Sequence, residues 1–372
     1  RLNVDSPGWW RMLSSVASTV YAFFYVSYTR FLLIVGVLTL LALRLYRLIF
    51  EDRDYYPDFD LDPTPFLGKP LRVAMVSNNY FPFVSGVSVS VDRLRNGLCD
   101  LGHSLQLLVP RYRDTWQDDN SIKRIPTLMA FGDKNEFRLT NPFSSRFRHC
   151  LHAFKPDLIH VHHPFWLGSM GLLMGRRLKV PVIYTYHTRL EHYAHFVPLP
   201  GALFRNLISH YLIKLFSNRC QGVIVPTYSA EEYLRMIGVK TPTLVQPTGI
   251  DVARFAHADE TQLEALREQL NIDSSRKILI SVSRISKEKN IGFMLEALAE
   301  LQAQGHDDLH LLLIGDGPDR EAIQAQIDAL DLTAQVTLVG AVPPDEMALY
   351  YHLGDIFGFA STSETQGMVI LE

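Results

Sequence analysis

The sequence predicts an α/β protein in which two Rossmann-like domains face each other behind an apolar amino-terminal segment. Three observations carry that expectation. From residue 71 onward, short runs rich in Val, Ile and Leu alternate with amphipathic stretches, the rhythm of parallel strands connected by covering helices. The rhythm breaks near residues 248–255 and then starts again, so there are two such units rather than one. With 372 residues and 47% hydrophobic content, the chain can also fill two cores of α/β size.

Taken in order, residues 16–43 are nearly all apolar or aromatic, and residues 31–43 carry no charge. A helix over 31–43 reaches only ~20 Å, short of a ~30 Å hydrocarbon core, whereas 16–43 spans it with tilt. A single span therefore includes Arg30, at a cost of roughly 2.5 to 3.5 kcal/mol that Leu and Ile neighbours offset. A monotopic hairpin and a buried core helix are the alternatives. No small-residue cleavage site comes after the apolar run, which argues against a signal peptide. Arg44 and Arg47 place the carboxy-terminal side of the segment, and with it both domains, on the cytoplasmic side of a cell membrane. Residues 51–70, acidic and proline-containing, read as a linker.

Strands are expected at 71–77, 104–109, 157–161, 180–186 and 222–226 in a first domain over 71–250. A second domain over 251–372 has strands at 277–282, 309–314, 335–339 and 355–360, with a helix over 318–330. The chain opens on Arg1 and stops inside a motif at Glu372, so it reads as cut at both ends. A net charge of −3 gives no basic excess for nucleic acid. Cys99, Cys150 and Cys220 lie far apart with no metal-ligand spacing, which fits a reduced compartment without zinc.

In doubly wound sheets, ligands bind beyond the carboxyl ends of the strands, so the loops there carry the candidates. The loop 78–86 (NNYFPFVSG) enters a helix at Gly86, where backbone amides can approach a phosphate or sugar. Arg284 and Lys289 (RISKEK) bring cations suited to a diphosphate. Glu364 and Glu372 lie eight positions apart across a strand-to-helix turn. There the amides of Gly367, Met368 and Val369, just after Gln366, face an anion, and the carboxylates accept from sugar and ribose hydroxyls. On this reading the helix runs from 366 and Glu372 sits about one and a half turns into it. Each feature also has an ordinary explanation: a βα turn, solvated cations, a capped helix with a surface glutamate. His160, His162 and His163 (HVHH) suggest a metal, but strand neighbours point to opposite faces.

With those motifs in order, the chain resembles glycosyltransferase family 4 over about residues 71–372. Its E-x7-E signature matches Glu364 and Glu372, its diphosphate clamp Arg284 and Lys289, and its nucleotide-side loop Gly315 and Gly317 (GDGP). The resemblance implies a GT-B fold, retention, and no bound metal or other cofactor. It also assigns His187 (in YTYHTR) to the donor sugar, so His187 and Glu364 become the catalytic candidates. Two positions depart from the pattern: Ser85 precedes Gly86 where relatives have two glycines, and Gln366 replaces a usual aromatic residue. The string ETQG, with 185–193 and 197–200, resembles the diacylglycerol glucosyltransferase branch, which implies UDP-glucose as donor and a glycerolipid acceptor. Another acceptor, such as phosphatidylinositol, lipopolysaccharide or another glycan, is the alternative, as is a non-catalytic nucleotide-sugar-binding membrane protein. Residues 204–216 form an apolar-faced helix that fits either a core or a membrane surface. An oxidoreductase is disfavoured because no G-x-G-x-x-G comes after the first strand, and Asp58 and Asp60 precede that strand, too early to hold a metal. No residue stands out as a catalytic base.

Overall fold

The computed structural model describes residues 8–50, 64, 68–113, 118–131, 137–141, 144–187 and 209–372. Two compact units divide the chain, Arg1–Tyr55 and Tyr56–Glu372. In the first, Gly8–Phe50 is one continuous helix of 43 residues. It contains no proline, so no residue lacking a backbone N–H interrupts its hydrogen-bond ladder. Its portion Trp10–Leu43 contains an 18-residue window with a mean hydropathy of 2.0, none of it buried, and is long and apolar enough to cross a bilayer. The hairpin and the buried core helix are thus replaced by a single exposed helix that includes Arg30. Most of the expected linker lies outside the described residues.

The second unit holds two parallel sheets. In chain order the first domain has β1 (Arg72–Val76), β2 (Ser104–Pro110), β3 (Ile122–Ile125), β4 (Thr127–Phe131), β5 (Phe137–Thr140), β6 (Leu158–Val161), β7 (Val182–Thr185), β8 (Gly222–Val225) and β9 (Thr243–Val245). Its seven-stranded sheet runs β3-β2-β1-β6-β7-β8-β9, while β4 and β5 form a separate antiparallel hairpin. The second domain has β10 (Lys277–Val282), β11 (Leu309–Ile314), β12 (Val336–Gly340) and β13 (Ile356–Phe357) in the order β12-β11-β10-β13.

Both sheets are covered on both faces, which explains strands that are apolar nearly throughout. Ala74 and Val76 of β1 point into one core while Val73 and Met75 point into another. Leu311 and Leu313 of β11 are likewise separated from Leu312 and Ile314. Strand order reverses at β1, which pairs with β2 on one side and β6 on the other, and at β10, flanked by β11 and β13. Those two reversals are where a doubly wound sheet opens a crevice.

The nine expected strands are all present, but β13 is shorter than 355–360. Beyond it the Gly358 N–H still bonds the Ile280 carbonyl at 2.8 Å, and the backbone then leaves the ladder. Three pieces come as additions: β3, the β4–β5 hairpin and β9 are short, and charged or polar residues interrupt the first two. The turn after Gly367 is also shorter than expected. Its helix is Met368–Leu371 with Gly367 at φ 70° as N-cap, so Glu372 ends a single turn. Helix His210–Ser217 buries Ile213 and Phe216 and exposes Leu212, while residues 204–208 lie outside the described residues.

Candidate active site

The first half of the site grows from the β1 reversal. Leaving β1, Asn78 is tied to the loop after β6: its N–H donates to His163 Nδ1 at 3.2 Å and its Nδ2 to the Phe165 carbonyl at 3.0 Å. Its Oδ1 accepts from the Leu167 N–H at 3.1 Å. This clamp brackets Trp166, which is held at φ 51°, ψ −113° and is half exposed. A non-glycine residue in that region stores strain, which surrounding bonds must maintain. Farther along, Ser85 caps helix Gly86–Asp100 through a reciprocal bond pair with Ser88. The serine that replaces a relative's glycine therefore has a structural task, and the helix still begins at Gly86. A Cβ at Gly86 would lie 3.9 Å from Met368 Cε, so the first loop meets the 367–369 turn across the crevice.

The second half surrounds the β10 reversal. Arg284 and Lys289 come after β10, Gly315 and Gly317 after β11, and Glu364 after β13, so three adjacent strand ends deliver them together. The glycines have a steric reason. A Cβ at Gly315 would sit 1.9 Å from the Ser283 carbonyl oxygen, and one at Gly317 would sit 2.1 Å from that of Ile285. The nucleotide-side loop thus lies directly on the backbone of the cation loop. Lys289 Nζ makes an ion pair with Glu364 Oε1, to which Ser361 Oγ also donates at 2.7 Å.

A network of polar bonds then joins the two sides of the crevice, with Arg93–Glu372, Gln366–Thr248 and the Thr365 bonds crossing between the domains. Arg93 Nη2 reaches Glu372 Oε1 at 3.2 Å, and Arg93 Nη1 the Gly249 carbonyl at 3.1 Å. Tyr351 donates its hydroxyl to Glu372 Oε2 at 3.1 Å. Burial, with Glu372 alongside, pushes that phenol up and keeps it a donor. Gln366 accepts from the Thr248 N–H at 2.8 Å and donates to the Thr248 carbonyl at 2.9 Å. These two bonds engage one donor and one acceptor of its side-chain amide and hold the start of the 367–369 turn against the first domain. Thr365 Oγ1 donates to the His187 carbonyl at 2.6 Å, while its own carbonyl accepts from Thr227 Oγ1 at 3.0 Å. Arg93, Tyr351, Thr248 and Asn78 were not anticipated. Arg93 lies off the apolar Val87, Val91, Leu94, Leu98 face of its helix, where a charged residue is ordinary, so the sequence pattern does not single it out.

Histidines line the β6–β7 end of the crevice. His162 Nδ1 and His187 Nε2 are 2.9 Å apart, and the His160 ring packs against His162 at a tilt of 34° with centroids 4.3 Å apart. His160 and His162 share a face because they are two positions apart. Burial lowers His160 and His163 to about 4 and His187 to about 3, and it keeps His162 well below its ordinary value with the neighbouring histidines assisting. All four are neutral near pH 7. No metal-ligating group of three side chains forms among the described residues.

Comparison with known proteins agrees with this layout. Residues 84–254 match Glycosyltransferase Family 4, and residues 262–372 match Glycosyl transferases group 1. The alpha-monoglucosyldiacylglycerol synthase of Streptococcus pneumoniae is 37% identical over 310 residues, which is 81% of this chain and 68% of that protein. Its counterpart of the same name from Acholeplasma laidlawii is 33% identical over 81% of this chain and 77% of that protein. HepE of Anabaena, solved with UDP and glucose, superposes with a TM-score of 0.63 at 18% identity over 81% of this chain and 77% of that one. The sucrose-phosphate synthase of Thermosynechococcus elongatus gives 0.64 at 20% identity, over 80% of this chain and 77% of that one. The chain belongs to glycosyltransferase family 4 and is a nucleotide-sugar-dependent glycosyltransferase of GT-B fold.

Proposed function

We propose that the protein transfers glucose from UDP-glucose to the hydroxyl of a membrane glycerolipid such as diacylglycerol, with retention, on the cytoplasmic side of a membrane that holds helix Gly8–Phe50. The convergence of Arg284, Lys289, Gly315, Gly317 and the 364–372 segment on one strand-order reversal carries the donor half of this reading. Arg284, Lys289 and the amides of Gly367, Met368 and Val369 stabilise the leaving diphosphate, Glu372 takes the ribose, and His187 with Glu364 takes the sugar. Fixed cations at the diphosphate remove the need for a bound metal.

The names of the two synthase relatives support the acceptor, and so does the first domain's surface. An open cavity of about 510 Å³ lies between helices Ser145–Phe154 and Leu167–Leu178. Trp166, Met170, Leu173 and Met174 line it, and exposed Arg148 and Arg177 border it. Apolar walls suit an acyl chain and the arginines suit phosphates at a bilayer surface. The test supplies UDP-glucose and diacylglycerol-containing vesicles to the full chain in EDTA, then identifies the product and its anomer. An α-glucosyl glycerolipid formed under chelation is expected. A β-anomer, transfer only to another acceptor, or strict need for added Mg²⁺ each removes the corresponding part of the reading.

A further inference from the structure

One proton lies between His162 Nδ1 and His187 Nε2, 2.9 Å apart, and with both rings neutral it has two possible owners. If His187 Nε2–H donates, His162 must carry its own proton on Nε2. That atom is buried with no partner among the described residues, in a side chain only 2% exposed. A buried N–H without an acceptor is the rarer and costlier kind of orphan. If His162 Nδ1–H donates instead, its Nε2 is left as a bare lone pair, and His187 carries its proton on Nδ1. His162 has no freedom to turn away from the choice. The His160 ring packs against it at 4.3 Å and is itself bonded from Nε2 to Thr185 Oγ1 at 2.6 Å. The His187 backbone is held from the opposite domain by the Thr365 hydroxyl.

We infer that His162 is a positioning residue: by donating from Nδ1 to His187 Nε2 it fixes His187 as the Nδ1–H tautomer, so that His187 offers the donor sugar a hydrogen-bond donor and not an acceptor. This rests on the proposed reading of His187 as a sugar-facing residue. A ring nitrogen's role is set by the bond its other nitrogen makes, so the second histidine decides which sugar oxygen chemistry the first can recognise. Burial supports the assignment by keeping both rings neutral, because an imidazolium at His187 would donate from both nitrogens and need no partner to choose between them.

The test labels histidines of the full chain with ¹⁵N and reads ring protonation by long-range ¹H–¹⁵N correlation, with His187 assigned by its loss in His187→Gln. A proton on His187 Nδ1 alone is expected. A proton on Nε2, or on both nitrogens, overturns the inference. Kinetics with UDP-glucose gives a second readout. His162→Leu lowers kcat roughly 10-fold, the effect of one lost substrate hydrogen bond, with KM within about twofold. His162→Asn, whose amide can donate from the Nδ1 position, recovers most of it. Equal kcat for the Leu and Asn variants overturns the inference, and if the Leu variant fails to fold the protonation measurement still decides. Wild-type transfer by His187→Gln removes the reading of His187 itself, whatever its tautomer. Loss of transfer in His187→Gln together with an Nε2 proton removes only the role given to His162.

Discussion

If Lys289 holds the donor diphosphate as proposed, Glu364 competes with that diphosphate for it, and the competition has a measurable sign. Without ligand, the Lys289 ammonium is paired with Glu364, with side-chain exposures of 18% and 30%. A pair at this depth, still partly screened by water, contributes about 1 kcal/mol. Glu364→Gln keeps an acceptor for Ser361 and removes the ion pair, so UDP gains Lys289 without displacing a carboxylate. UDP should then bind about 1 kcal/mol more tightly, roughly fivefold, while glucosyl transfer falls because the sugar loses its carboxylate partner. Lys289→Ala removes a charge-assisted bond of about 1.5 to 3 kcal/mol, offset by the ~1 kcal/mol pair that no longer has to be broken. Its UDP affinity should fall roughly fivefold. In the double variant the gain from Glu364→Gln should vanish, because its beneficiary is gone. Calorimetric titration with UDP at fixed salt measures all four corners. Weaker UDP binding in Glu364→Gln, or additive effects in the double variant, would refute the competition.

The same geometry sets three further outcomes. Arg93→Ala removes the bonds to Glu372 and Gly249, and should raise the KM for UDP-glucose several-fold while costing about 1 to 2 kcal/mol in urea titration; no change in either would mean the bridge is idle. The buried histidines bind protons more weakly folded than unfolded, so stability is complete above pH 6.5 and declines below it, by up to about 1.4 kcal/mol per pH unit for each group; urea midpoints equal at pH 7.5 and 5.5 would contradict their neutrality. Leu173 is 39% exposed on the cavity wall, so Leu173→Glu should change stability by less than ~0.5 kcal/mol and leave UDP affinity intact, yet reduce transfer to bilayer diacylglycerol; undiminished transfer would move the acyl chain elsewhere.

Strands buried on both faces were the legible part of this fold. Runs such as LRVAMVS and LHLLLIG are apolar enough to need no partner for their assignment. The pieces missed, β3 (IKRI) and β9 (TLV), are short edge strands whose identity comes from the neighbour they pair with. At the site, a residue's type showed what it could bind but not what already holds it. Lys289 and Glu364 read as separate ligand groups, and only the folded chain brings them onto each other. The same holds for Gln366, an odd residue at its position until Thr248, 118 positions away, supplies both its partners. His160, His162 and His187 come from two strands, so the chain of contacts among them exists only once β6 and β7 are paired.

The bonds from residues 365–372 to Thr227, Thr248, His187 and Arg93 give that segment a double allegiance. By sequence it belongs to the second domain; by hydrogen bonding it is fastened to the first. Separation of the domains must therefore either break these bonds or peel the segment away from the loop that carries Lys289. The first course leaves the donor site whole but exposed, and the second dismantles it. At about 1 kcal/mol net for each bond, the set resists separation of the domains. If release of spent nucleotide requires the domains to part, contacts such as Gln366 to Thr248 enter its barrier. Substitutions there would reset the enzyme's clock while sparing its chemistry.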